Sequence, residues 1–140
     1  MRHIWIAAVL VALAACDKDD KAAAAGAAKT GEGEDSGPRK DLVEAWKKGG
    51  MSPSELKPAT VAFGKDCKTG TVGSIEVLVC QYGSADEAKA QQDAGLGWVG
   101  ENMFGGTSQA RGPLLIVAAD RQKTDPSGKT IQKLIALAPK

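Results

Sequence analysis

The chain has 140 residues, with 18 Lys plus Arg, 17 Asp plus Glu, one His and three Cys. A charge balance so close to neutral supplies no basic field of the kind nucleic-acid binding requires. With His3 as the only imidazole, a multi-histidine zinc or iron site is excluded as well.

Met1-Arg2-His3 is a positively charged start, and Ile4 to Ala15 is an apolar run of 12 residues. A membrane-spanning helix needs ~20 residues, so residues 1–15 read as a cleaved secretory signal peptide. The run closes on Leu13-Ala14-Ala15-Cys16. This ending resembles the lipobox of bacterial lipoproteins. The resemblance implies that Cys16 receives diacylglycerol, that the peptide is cut just before it, and that the new amine is acylated. A buried methylene contributes ~0.8 kcal/mol and a single acyl chain is marginal, so two or three chains hold firmly. An ordinary signal peptide cut nearby, leaving Cys16 free, is the alternative. Asp17 resembles the inner-membrane retention signal of some Gram-negative lipoproteins, a rule that does not hold in every lineage, so inner versus outer membrane stays open. The expected location is the cell membrane, with the domain facing the periplasm or extracytoplasmic space.

Residues 16–38 read as a lipidated Cys followed by a tether. Asp17 to Pro38 contains three Lys against six Asp plus Glu and no aromatic, Leu, Ile or Val. Such a segment cannot bury enough apolar area to offset its ordering entropy. As a coil it spans roughly 25 Å. Arg39 to Lys140 then forms a single domain of 102 residues, with 14 Lys plus Arg and 11 Asp plus Glu.

The first element is a helix over Asp41 to Lys48, with Leu42, Val43, Ala45 and Trp46 on one side and Gly49-Gly50 as its stop. Trp46 reads as a core anchor. Ser52-Pro53-Ser54-Glu55 looks like a second helix start, which Pro58 limits to about one turn.

Cys67 and Cys80 remain after lipidation, and an even pair in an oxidising envelope reads as a disulfide. If Val72-Gly73-Ser74-Ile75 is a two-residue hairpin, Gly73 supplies the positive φ of a type II′ turn. Pairing 72 with 75 then carries outward to 67 with 80 at a non-hydrogen-bonded position, where Cα atoms come closest and a bridge fits. A looser turn over Lys68 to Gly73 is the alternative. The spacing is not C-x-x-C, which argues against a redox-active pair.

Ile75, Val77 and Val79 alternate with Glu76, Leu78 and Cys80, the pattern of a central strand. Ser84-Ala85-Asp86-Glu87 is a capping box opening a helix to about Leu96, with Ala85 and Ala88 as a small buried face. A further strand is a candidate around Met103 to Gln109. Leu114 to Ala119 is apolar throughout and β-branched at Ile116 and Val117. Asp125-Pro126 begins the last helix, whose Ile131, Leu134, Ile135 and Ala138 share a face. The expected fold is α+β: a mainly antiparallel sheet of three or four strands, helices on one face, and a disulfide-bridged hairpin.

Three motifs resemble chemistry. Gly95-Leu96-Gly97-Trp98-Val99-Gly100 spells G-x-G-x-x-G, yet follows a helix where a dinucleotide site needs a strand. Gly128-Lys129-Thr130 resembles a P-loop ending, but Lys123 stands where that motif requires glycine. Asp17, Asp19 and Asp20 are spaced like the start of a calcium loop without its glycine and terminal Glu. With His3 lost and both domain cysteines paired, neither Ser-His-Asp nor thiolate catalysis has its residues. No catalytic, cofactor or metal residue is therefore nominated, and the chain is read as non-enzymatic.

One segment invites a functional reading. Gly95 to Gly112 has six glycines interleaved with Trp98, Met103 and Phe104, a composition suited to an adaptable binding loop. The alternative is that Trp98 and Phe104 tuck under the sheet while the glycines serve turns. The expected partners are the membrane, through the N-terminal lipid, and an envelope protein. A small-ligand pocket between sheet and helices, lined by Trp and Phe, is the second reading. Oligomeric state is not legible.

Overall fold

The computed structural model describes residues 37–100 and 105–140. The expected signal peptide, Cys16, the tether as far as residue 36, and Met103 and Phe104 lie outside the described residues.

The described chain runs α1 (Pro38–Lys48), β1 (Lys57–Val61), β2 (Gly64–Val72), β3 (Ile75–Gln81), α2 (Ala85–Ala90), α3 (Gln92–Val99), β4 (Gly106–Arg111), β5 (Leu114–Ala119) and α4 (Lys129–Ala136). The strands form one open antiparallel sheet in the order β1-β2-β3-β5-β4. The fold is α+β with helices packed on the sheet, as the sequence predicts. The sheet has five strands rather than three or four, and its helices cover both faces rather than one.

The reason for the two-sided cover lies in β3 and β5. Val77, Val79, Leu114, Ile116 and Ala118 share one apolar cluster with Leu42 and Trp46 of α1 and Ile131, Leu134 and Ile135 of α4. Leu78, Cys80, Leu115, Val117 and Ala119 form a second cluster with Val99 of α3. Both strands are apolar on both faces, so each face needs a covering layer.

The hairpin forms in the register expected. Val72 pairs with Ile75 and Cys67 with Cys80. Gly73 has φ 62 while Ser74 does not go positive, as a type II′ turn requires. Cys67 and Cys80 are disulfide-bonded, with their Cα atoms 4.0 Å apart. The looser turn does not form.

Between α1 and β1 the sequence expectation gives way. Residues 52–55 form no helix, and Pro53 instead bridges Val72. Gly73 N–H donates to the Ser52 carbonyl, Ser54 N–H to the Thr71 carbonyl, and Thr71 N–H to Ser54 Oγ. One helical turn makes about one hydrogen bond for three ordered residues. The extended path makes three and leaves Leu56 only 5% exposed in the core. It then enters β1, whose Lys57 and Pro58 suit an edge strand.

Two helix boundaries also move. The first helix starts at Pro38 rather than Asp41, which buries Arg39. The helix from Ser84 divides at Gln91 instead of running unbroken to Leu96, and there Gln92 Oε1 accepts the N–H of Ala110 on the edge strand β4. Ser84 Oγ accepts Glu87 N–H as a cap, Ala88 is buried, and Ala85 is exposed rather than buried.

Candidate functional site

Helix α3 is held against the sheet by a residue with no side chain. A Cβ on Gly95 would collide with Ser108 Oγ and with Val117, so only glycine permits this approach. With Gly95 facing the sheet, Leu96 and Gly97 face outward. Leu96 is 48% exposed and is the exposed large apolar side chain among the described residues.

Trp98 follows on the same helix, half-buried against the second apolar cluster. The Arg121 guanidinium lies 4.9 Å from its ring centroid. Arg121 also donates to the Trp98 carbonyl at 3.1 Å and pairs with Glu76 at 2.7 Å. Such a cation–π contact contributes about 0.5–1 kcal/mol at an exposed site. The ion pair is itself open to water and adds ~1 kcal/mol at most. Together they fix the ring's position more than they stabilise the fold.

Trp98 therefore stands on a helix, not in an irregular loop. Of the six glycines between 95 and 112, two lie within α3, one caps it, one directly precedes β4, one opens β4 and one turns into β5. The G-x-G-x-x-G letters thus fall on α3 and its cap, with no strand before them.

The start of α4 is filled from within. Asp120 accepts N–H bonds from Thr124 and Asp125 and the Thr124 hydroxyl. Asp125 in turn accepts the N–H groups of Thr130 and Ile131. The amides that a phosphate would need are thus already taken: Thr130 N–H by the Asp125 carboxylate, Lys129 N–H by the Ser127 hydroxyl and Gly128 N–H by the Asp125 main-chain carbonyl. Burial pushes the Asp120 carboxyl up, and the hydrogen bonds from Asp125 and Thr124 outweigh that effect and hold it below its ordinary value. The last helix begins at Lys129 rather than Asp125, because Gly128 at φ 67 is its N-cap and the Asp125 carboxylate reaches past it to the Thr130 and Ile131 N–H groups. Asp125 is legible in the sequence at the start of this helix; Asp120, which holds the loop before it, is not.

Beside the disulfide, Tyr82 donates its hydroxyl to the Phe63 carbonyl at 2.7 Å. Burial pushes this hydroxyl's pKa up. Cys67 and Cys80 are 4% and 0% exposed.

A cavity of about 200 Å³ lies at the other end of the first apolar cluster, between the start of α1, the β4–β5 turn and the residues after α4. Its lining contains Arg111, Leu42, Leu114 and Ala138. Neither Trp nor Phe contributes, unlike the pocket expected from composition. Arg111 carried no sequence signal, since one Arg on a polar edge strand reads as solvated.

Among the described residues no three of His, Cys, Asp and Glu converge as a metal-binding group. No described helix is long and apolar enough to cross a membrane.

No protein-family model, curated protein or solved structure matches this chain.

Proposed function

We propose that this protein is a lipid-anchored cell-envelope lipoprotein whose domain is a non-enzymatic module docking an envelope protein. Acylated Cys16 provides the anchor, and residues 17–38 provide the tether. The disulfide Cys67–Cys80 supports an extracytoplasmic compartment, because such bonds persist where the environment is oxidising.

The observation that carries the docking role is the outward Leu96 on a helix fixed to the sheet on its other side by Gly95 and Trp98. A single exposed Leu is ordinary on a protein surface. Here it stands on a helix pressed to the sheet by glycine, next to a large aromatic clamped by Arg121. An exposed apolar side chain whose direction is fixed in this way is what an interface anchor requires.

Two measurements test this. Intact mass of the protein from membranes of its native host is expected to show a chain starting at Cys16 and carrying two or three acyl groups. A photo-crosslinking residue at position 96 is expected to give one discrete adduct in those membranes, with none from Gln132 on the opposite helical layer. Leu96→Glu with an unchanged melting temperature and loss of partner binding completes the case. Equal cross-linking from both positions, or from neither, sinks the docking role, and an unacylated mass sinks the anchor.

A further inference from the structure

We propose that the cavity at Arg111 is a binding site for a small apolar carboxylate. It stands apart from Leu96 and Trp98 on α3, neither of which lines it.

The first observation is an unmet donor. Arg111 Nε is shielded from solvent and has no hydrogen-bond partner among the described residues. Buried polar groups are nearly always paired, and each exception asks for an explanation. Arg111 holds the last position of β4, paired with Leu114 just before the chain turns. The register puts it on the same face as Leu114 and Ile116, so the turn sets the guanidinium at the rim of an apolar hollow.

The second observation is the hollow itself. Leu42, Leu114, Ile116 and Ala138 form its apolar floor, and all four are at most 7% exposed. Pro38, Pro113 and Pro139 wall it with rigid rings. Its volume is about 200 Å³, and a cavity of ~150 Å³ accommodates benzene. A six-carbon chain or one aromatic ring fits, and a nucleotide does not.

Chemistry selects the head group. A guanidinium presents parallel N–H donors that match a carboxylate in a two-pronged pair. The charged side chains of the lining are Arg111, Lys140 and Asp41, and of these Arg111 is the one that is not exposed, so its guanidinium sets the preference. A ligand with a planar anionic end and a short apolar body satisfies both the donor and the floor. A neutral alcohol of the same shape satisfies only the floor.

The test uses the full chain, with hexanoate and benzoate as probes and hexanol and benzyl alcohol as neutral counterparts. Binding is read from amide shifts at Leu114 and Ala138 by NMR. Both carboxylates are expected to saturate these shifts, with the alcohols at least about tenfold weaker, a difference of ~1.4 kcal/mol. Arg111→Gln is expected to remove that preference, and Arg111→Lys to restore only part of it because the fork is lost. Asp41→Asn is expected to tighten carboxylate binding. Ala138→Leu fills the hollow without touching charge and is expected to abolish binding of acid and alcohol alike. It keeps the test decisive if the Arg111 variants fail to fold. Equal binding of acids and alcohols, unchanged binding in Arg111→Gln or Ala138→Leu, or no saturable shift at Leu114 and Ala138 overturns the proposal.

Discussion

Trp46 donates its indole N–H to the main-chain carbonyl of Leu134 at 2.9 Å, across 88 residues of chain. That carbonyl lies in the last turn of α4, where helix carbonyls lose their own partners. The first helix thus completes the last one, within the shared core of Leu42, Ile135 and Val77. Trp46→Phe keeps most of the apolar contact and orphans the Leu134 carbonyl, at a cost of about 1–3 kcal/mol. Trp46→Ala adds a large void, for about 3–5 kcal/mol. Urea denaturation of the two variants is expected to rank them in that order. No loss in Trp46→Phe means that the hydrogen bond contributes nothing, and equal losses mean that the void adds nothing to it.

The disulfide closes a loop with a sequence separation of 13, which in the chain-entropy model contributes about 3 kcal/mol. Replacing both Cys67 and Cys80 by Ala is expected to lower the melting temperature by at least ~10 °C. Both sulfurs are shielded, at 4% and 0% exposed. Alkylation with iodoacetamide after mild reductant is therefore expected to be slow in the folded protein and fast in urea. Rapid labelling without urea contradicts the burial.

Asp120 gives the fold an acid-sensitive point. Its folded-state pKa lies below the ordinary carboxylate value, so the unfolded chain binds the proton more readily. Its stabilising effect is fully present above the unfolded pKa of ~3.9 and is lost as pH falls through the lower folded value. Melting temperature followed from pH 6 down to pH 2 is expected to drop in that window. Asp120→Asn keeps an acceptor oxygen without the titration, and its curve is expected to be flatter below pH 4. Parallel curves exclude Asp120 as the sensitive group.

Gly95 and Ser108 make a matched pair of substitutions. A Cβ at position 95 meets Ser108 Oγ and Val117, and Gly95→Ala forces α3 away from β4 at a cost of about 1–3 kcal/mol. Ser108 is 6% exposed and its Oγ has no hydrogen-bond partner among the described residues. Ser108→Ala removes that unpaired hydroxyl, so stability is expected to hold or rise. Thermal melts of both variants check the signs, and a stabilising Gly95→Ala refutes the close approach.

Arg121 covers the Trp98 ring. Arg121→Ala is expected to shift tryptophan emission to longer wavelength, while stability falls by no more than ~1 kcal/mol. An unchanged spectrum means that the ring is shielded by the apolar cluster alone.

The strands and helices with strong periodicity were readable from their own residues. The 72–75 turn, the 67–80 pairing and the apolar strand 114–119 all follow from local chemistry that the tertiary structure leaves in place. The helix expected at Ser52-Pro53-Ser54-Glu55 failed because the same side chains satisfy the edge of β2 better than they cap a single turn. Strand β1 went unread because KPATV opens on Lys57 and Pro58 and has only Thr60 and Val61 as β-formers. The candidate ridge was half legible: Trp98 stood out by type, whereas Leu96 stood among glycines with nothing to say which way it faced. Arg111 gave no signal at all.

By itself the sequence determined the disulfide register, the class of the domain and the central position of β3. These depend on spacing of two, on turn glycine and on parity, which are properties of adjacent residues. Only the tertiary structure decided that both faces of the sheet are covered, that Gly95 brings α3 within contact of Ser108, and that Arg111 rims a hollow floored by Leu42 and Ala138. Those outcomes depend on which surfaces meet, from 13 residues of chain between Gly95 and Ser108 to 96 between Leu42 and Ala138. Burial of apolar area is non-directional, so it drives the collapse without stating the partner. The choice falls to packing of whole faces, which no local window of sequence contains.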